Sequence, residues 1–212
     1  MNKPARTIEW VVWGALGLTI AVIAVAFVIS EAGQRGGPPL PIITQQLPDF
    51  VLTNQHGQIV TRSNLLGRIC VADIIFTRCA GPCPKMTARM GELQSALPAH
   101  SPVQLVTLTT DPENDTPAVL KRYADRFGAR EGSWQFLTGA KPELARLAIE
   151  GLKLTALDKD PTQRENDTDF FIHSTIFVLV DQHGRVRGAF ESDEPQMQKE
   201  ILAAIRKLQR EK

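Results

Sequence analysis

Two cysteines separated by three residues are the part of this sequence best suited to chemistry. Cys79 and Cys83 lie between an apolar segment, residues 69–76, that predicts a buried strand and a segment from Lys85 onward that predicts a helix. A spacing of four places both thiols near one face of the first helical turn. Such a pair can close a disulfide, hold a soft metal ion, or do both.

The predicted position of the pair, at a helix N-terminus, favours the thiolate over the thiol. A thiolate is the form that attacks disulfides and also the form that binds metals, so this argument supports both chemistries. Three intervening residues leave more room for an ion between the sulfurs than two would. Two thiolates suit Cu(I), and an added imidazole suits Cu(II) as well, whereas zinc usually takes a fourth ligand.

His173 is the candidate for a third ligand. It lies ninety residues beyond Cys83 and directly precedes an apolar segment that predicts a strand. A parallel sheet can bring the start of that strand beside the cysteine turn. The alternative is an ordinary core or surface histidine.

Asp73 stands in an otherwise apolar strand, six residues before Cys79. A carboxylate in such surroundings tends to stay protonated, because burial penalises the charged form. We hypothesise that Asp73 accepts the proton of Cys83 when the pair is oxidised or metallated. The alternative is a strand-end aspartate paired with a nearby base.

Several other residues have the right type for metal chemistry but a better structural explanation. Met86 and Met90 are spaced as a core stripe on the helix, and Cys70 is typical of a small buried hydrophobe. In residues 111–117, Asp115 or Thr116 is expected to cap the following helix. The remaining histidines are expected to be solvated turn or loop residues, namely His56, His100 and His183.

Residues 10–29 contain no charge and are long enough to span a bilayer as a helix, which needs roughly 20 apolar residues. Lys3 and Arg6 precede this segment, so we expect the N-terminus in the cytoplasm and the rest of the chain on the outer, periplasmic or equivalent, face. A cleaved signal peptide is the alternative. The predicted organisation is a cytoplasmic N-terminus at 1–9, a transmembrane anchor at 10–29, a linker at 30–46 and a globular domain at 47–212.

The 212 residues include 24 Lys and Arg against 23 Asp and Glu, which gives no general attraction to nucleic acid. Strands alternate with helices through the middle of the domain, and a β-hairpin is predicted within residues 50–61 and another near the C-terminus. This pattern predicts an α/β fold with a mixed sheet flanked by helices. A thiol pair between a central strand and a helix is the thioredoxin-like arrangement.

The chain resembles the SCO/SenC family of copper-binding proteins. Four motifs carry the resemblance, in the right order over about residues 47–208: residues 77–84 (TRCAGPCP), 111–117 (DPENDTP), 136–139 (FLTG) and 173–175 (HST). Ala80 departs from the proline often found in that position, which puts no ligand in doubt.

The resemblance implies that one copper ion is bound through Cys79, Cys83 and His173. It also implies a role in delivering copper to, or reducing the thiols of, the binuclear copper site of cytochrome c oxidase. Our leading hypothesis is a metallochaperone, a transfer protein and not a catalyst. The expected partners are the copper-bearing subunit of that oxidase, a thiol reductant and an upstream copper donor. The alternative function is a thiol–disulfide oxidoreductase that reduces the cysteines of that site or of other exported proteins.

Overall fold

The computed structural model describes residues 4–34, 38–158 and 171–211, which fall into two compact units, Met1–Pro39 and Leu40–Lys212. The first unit contains helix α1, Pro4–Gln34, on which the predicted anchor at 10–29 falls. Over the part of the chain that the structure describes, no helix combines the length and apolar character that crossing a membrane requires. The predicted anchor is therefore not shown and stays a prediction.

The second unit is built on a mixed sheet, which has seven strands among the described residues, in the order β2-β1-β5-β4-β3-β8-β9. The centre is parallel: β3 pairs with β4, and β4 with β5. Both flanks are antiparallel, as the two predicted hairpins require. The strands are β1 Val51–Asn54, β2 Ile59–Thr61, β3 Cys70–Ile75, β4 Gln104–Thr109, β5 Trp134–Thr138, β8 Ile176–Val180 and β9 Val186–Glu191.

Helices cover both faces of this sheet, as predicted. They are α2 Arg62–Leu65, α3 Pro82–Ala96, α4 Pro117–Arg126, α5 Lys141–Arg146, which continues as a π-helical turn over Leu147–Gly151, and α6 Met197–Leu208. Side chains alternate along β3, so Val71 and Ile75 join the core under α3, α4 and α6. Ala72 and Ile74 join the second core, under α5.

Two elements differ from the predicted pattern. The apolar segment that follows His173 forms β8 only from Ile176, and His173 itself lies in another strand, β7, Phe171–His173. β7 pairs with β6, Ala156–Asp158, in a separate two-stranded sheet. Neither β6 nor β7 was predicted as a strand of its own, because three residues give too little alternation to indicate a strand.

The second unit begins at Leu40, earlier than the domain start predicted at 47. The cause is backbone pairing that the sequence does not reveal. Ile43 N–H donates to Val186 O, and Leu47 N–H donates to Gly184 O, both at 2.8 Å. Residues 40–46 therefore belong to the folded unit, although their proline content predicted a linker.

Candidate metal centre

The cysteine turn lies at the C-terminal end of the central strand β3. Cys79 N–H donates to Phe76 O at 3.2 Å, and Gly81 N–H donates to the Cys79 sulfur at 3.4 Å. Gly81 caps α3, and Pro82 occupies its first position, where a missing N–H costs nothing. Both thiols are buried, Cys79 at 9% exposure and Cys83 at 0%. The helix begins at Pro82, three residues before the predicted start at Lys85, so Cys83 is inside its first turn.

The Cys83 thiol is not poised as a thiolate, which corrects the expectation from the helix N-terminus. A hydrogen bond with the Cys79 side chain and burial both raise the pKa of Cys83 well above its ordinary value, and the backbone of Phe76 offsets this only in part. The helix terminus is also poor in donors, because Pro82 and Pro84 have no N–H. Cys83 is therefore a proton-carrying thiol until an oxidant or a metal displaces that proton.

Asp73 lies on the same face of β3 as Val71 and Ile75, toward α3, and is completely buried. Its charge raises the pKa of Cys83 and also that of Tyr123, although burial is the main cause of the Tyr123 shift. The structure thus brings Asp73 within electrostatic reach of Cys83. Its role as the acceptor of the Cys83 proton stays a hypothesis.

Two successive hydrogen bonds link the first turn of α3 to Tyr123 on α4. The Thr87 hydroxyl donates to Cys83 O at 2.9 Å, and Thr87 Oγ1 lies 3.0 Å from the Tyr123 hydroxyl. Since the single Thr87 hydrogen is already used, Tyr123 must be the donor in that contact. A protonated Tyr123 is also what its raised pKa requires. The contact of Tyr123 with Thr87 was not predicted, because nothing in the sequence of α4 indicates that this hydroxyl reaches α3.

Residues 111–117 do more than cap a helix. Thr116 is the N-cap of α4, and its hydroxyl oxygen accepts from Val119 N–H at 3.4 Å, as expected. Asp115 instead accepts hydrogen bonds from the backbone and hydroxyl of Thr77, in the cysteine turn. Asp111 forms an ion pair of 2.6 Å with Arg78. The DPENDTP motif is therefore the support of the cysteine turn.

The backbone of His173 is described, whereas its side chain lies outside the described part of the structure. His173 pairs with Ala156, and the neighbouring Ser174 hydroxyl oxygen accepts from Thr155 N–H at 2.7 Å. β8 follows and runs antiparallel to β3, with Val178 opposite Ala72. An antiparallel strand starts beside the C-terminal end of its neighbour, so β8 starts at the end of β3 from which the cysteine turn leaves. The predicted parallel neighbour would have started beside the N-terminal end of β3, away from the turn.

The other candidates have the structural roles that were predicted. Met86 and Met90 are buried in the core under α3, Cys70 is buried in β3, and the histidines at 56, 100 and 183 are exposed. Burial raises the pKa of Cys70 to about 12, so this thiol is inert at neutral pH. Within the described residues, no three His, Cys, Asp or Glu side chains are grouped closely enough to hold a metal ion. The described donor set is thus the cysteine pair, two soft sulfurs.

Comparison with known proteins decides the family. The SCO1/SenC family model matches residues 44–210, most of the chain. The chain belongs to the SCO1/SenC family. It is 33% identical over 192 residues to the SCO1 protein homolog of Bacillus subtilis, covering 90% of this chain and 94% of the relative.

Two solved structures are similar to the chain across the thioredoxin-like domain. BsSco, described as a member of the Sco family of cytochrome c oxidase assembly proteins, is 29% identical with a TM-score of 0.70, covering 82% of this chain and all of its own. ScoI of Bradyrhizobium japonicum, solved with copper bound, is 25% identical with a TM-score of 0.63, covering 78% of this chain and 99% of its own. The resemblance and the α/β thioredoxin-like fold inferred from the sequence are both confirmed.

Proposed function

We propose that this SCO1/SenC protein is a copper metallochaperone that binds one copper ion through Cys79, Cys83 and His173. The observation that carries the proposal is the pair of buried thiols, four residues apart, at the start of α3. Two adjacent thiolates are soft ligands that select Cu(I), and an imidazole extends the choice to Cu(II). The copper-bound relative ScoI supports copper as the cargo.

Copper binding at this pair must displace protons. Cys83 holds its proton firmly, because its hydrogen bond with Cys79 and its burial raise its pKa, so copper has to compete with that proton. A site of this kind holds copper securely at neutral pH only when both sulfurs bind together. This arrangement suits transfer, since a ligand of the recipient that displaces one cysteine sulfur from copper also weakens the binding of copper by the other sulfur.

The proposed recipient is the copper-bearing subunit of cytochrome c oxidase. The support is family membership, together with the description of the relative BsSco as belonging to the cytochrome c oxidase assembly proteins. An upstream copper donor and a thiol reductant complete the proposed set of partners. The proposed location, an N-terminal anchor at 10–29 with the domain on the outer face, depends on the sequence alone and is tested by protease protection in intact cells.

Anaerobic titration of the reduced full-length protein with Cu(I), in competition with a chromophoric Cu(I) chelator, tests the ligand set. We expect one equivalent bound tightly by the parent protein and much weaker binding by Cys83→Ala and His173→Ala. His183→Ala is the matched control, because this histidine lies exposed in the turn before β9. Binding by His173→Ala equal to that of the control would remove the imidazole from the site.

A thiol–disulfide oxidoreductase is the second candidate function. The burial of two thiols four residues apart in one turn favours it, because neighbouring thiols can exchange between a dithiol and a disulfide. The solved structure of BsSco is described as containing a disulfide switch, which supports redox use of the pair. If the parent protein reduces an oxidised dicysteine peptide at the same rate with and without His173, while binding no copper, the reductase is the better assignment.

A further inference from the structure

A buried carboxylate, that of Asp115, lies directly behind the cysteine turn. Its exposed fraction is 0%. Thr77 N–H donates to Asp115 Oδ2 at 3.0 Å, and the Thr77 hydroxyl donates to Oδ1 at 2.5 Å. Thr77 is two residues before Cys79, so these bonds hold the entry to the turn through both backbone and side chain.

Each carboxylate oxygen of Asp115 accepts one further hydrogen bond. The Thr109 hydroxyl, at the end of β4, donates to Oδ2 at 2.5 Å, and Asn114 Nδ2 donates to Oδ1 at 2.8 Å. Thr109 Oγ1 meanwhile accepts from Asp111 N–H, so its only hydrogen is directed at Asp115. Four donors thus converge on one carboxylate, which connects the cysteine turn rigidly to the neighbouring strand.

A second connection, between Arg78 and Asp111, is weaker. Arg78 Nε lies 3.1 Å from Asp111 Oδ2, and the terminal nitrogen lies 2.6 Å from the same oxygen. The Arg78 side chain is 47% exposed, although that of Asp111 is only 8% exposed, so solvent screens this pair more than it screens the fully buried Asp115. The buried contacts of Asp115 therefore dominate the attachment of the turn.

We propose that Asp115 is a positioning residue that fixes the turn carrying Cys79 and thereby sets the equilibrium between the Cys79–Cys83 dithiol and its disulfide. In this reaction with oxidised dithiothreitol, one S–S bond forms between the two cysteines and the S–S bond of the reagent breaks. The two cysteines lose two electrons and two protons, which the reagent gains as a dithiol. The inference concerns the sulfurs alone and does not depend on copper.

The direction of the effect follows from chain entropy. The bound turn keeps both thiols buried at the start of α3, four residues apart. Releasing Thr77 allows the turn to sample wider conformations, which lowers the effective concentration of one thiol at the other. The disulfide is then less favoured relative to a dithiol reagent of fixed potential.

The test is the equilibrium constant of the full-length protein with oxidised dithiothreitol, measured by trapping thiols at several reagent ratios. Asp115→Asn keeps the size of the side chain but replaces one carboxylate oxygen by an NH₂ group, which cannot accept the hydrogen bonds of the surrounding donors. We expect the constant for disulfide formation to fall several-fold, because the released turn lowers the effective concentration of one thiol at the other. An unchanged or larger constant would overturn the proposal.

Asp181→Asn is the matched control. Asp181 is also buried and also accepts from four donors, namely His183 N, Arg185 N, Arg185 Nε and a terminal nitrogen of Arg187. It follows Val180, which pairs with Cys70 at the start of β3, so it lies at the end of the sheet opposite the cysteine turn. We expect this variant to lose stability with no change in the redox constant, and an equal fall in both variants would overturn the proposal.

Thr77→Val and Thr77→Ser provide a second comparison if Asp115→Asn does not fold. Valine removes the hydroxyl donor at nearly constant volume, whereas serine retains it. We expect the redox constant to fall in Thr77→Val and to be restored in Thr77→Ser. Equal constants in these two variants would contradict the role of Asp115, whatever the copper titration shows.

Discussion

At the residue scale, the chemistry of the site depends on how firmly Cys83 holds its proton. After the Cys79 side chain and burial, which raise the pKa of Cys83 most, the Asp73 carboxylate raises it further, because a negative charge opposes formation of a thiolate beside it. Replacement by neutral asparagine removes that repulsion. We therefore expect Asp73→Asn to lower the pKa of Cys83, so that its thiolate appears at lower pH.

The Cys79→Ala background isolates this effect. Cys79 makes the largest contribution to the Cys83 shift and would form a disulfide with it, and alanine removes both complications. The ultraviolet absorbance of the thiolate, followed against pH, compares Cys79→Ala with the Cys79→Ala/Asp73→Asn double variant. Cys70 does not interfere, because its pKa is raised to about 12. Coincident titration curves would show that Asp73 has no part in the proton balance of Cys83.

At the element scale, the π-helical turn after α5 packs too closely for any side chain at Gly151. A Cβ at this position would lie 2.7 Å from Pro48 Cδ and 3.2 Å from Leu47 Cδ2. The proline ring cannot rotate away, so we expect Gly151→Ala to lower the free energy of unfolding by about 1–3 kcal/mol, as overpacked cores do. Urea unfolding measures this loss.

Gly91→Ala is the control for the same substitution. Gly91 lies inside α3, where a Cβ would meet only ordinary contacts, at 3.6 Å from Phe127 O and 3.9 Å from the Trp134 ring. Alanine is favoured over glycine in a helix interior by up to about 1 kcal/mol, so this variant should be as stable as the parent or more stable. A destabilised Gly91→Ala beside an unaffected Gly151→Ala would refute the packing argument.

The elements also show what local sequence can predict. Strand β3, the cysteine turn and the methionine stripe were predicted correctly, because apolar runs, proline and side-chain spacing act over a few residues. The function of Asp115 was missed, since a helix cap and a long-range tether require the same residue type. Whether Asp115 binds its own helix or Thr77, 38 residues earlier, is decided only when β3 and β4 pair.

At the scale of the whole molecule, one arginine joins the start of the folded unit to its end. Arg187, on β9, is 4% exposed and contacts Asp181 at 2.9 Å and Glu211 at 2.5 Å. Its guanidinium also donates to Leu40 O at 2.7 Å and Pro41 O at 3.2 Å. The fold is thereby closed around a buried cation whose partners come from three separate parts of the chain.

Removal of this cation should cost stability in a pH-dependent way. Arg187→Met leaves buried acceptors uncompensated, so we expect a loss of roughly 3 kcal/mol at pH 7. Burial alone would raise the pKa of Asp181 and of Glu211, but hydrogen bonds hold both pKa values below their ordinary values. For Asp181 the donors are backbone N–H groups and the guanidinium groups of Arg185 and Arg187. For Glu211 they are Leu40 N–H and Arg187. Their contribution is therefore complete above the ordinary values of 3.8 and 4.5 and disappears as the pH falls below them.

Urea unfolding at pH 7, 5, 4 and 3 separates this network from an exposed ion pair. The parent should lose stability steeply below pH 4.5, whereas Arg187→Met should lose less over the same interval, because its carboxylates have already lost their main partner. Lys121→Met is the control: its pair with Asp125 is 42% and 57% exposed, and its removal should cost less than about 1 kcal/mol. Parallel pH profiles for the parent and Arg187→Met would mean that Arg187 does not set the acid sensitivity of the fold, and that other carboxylates do.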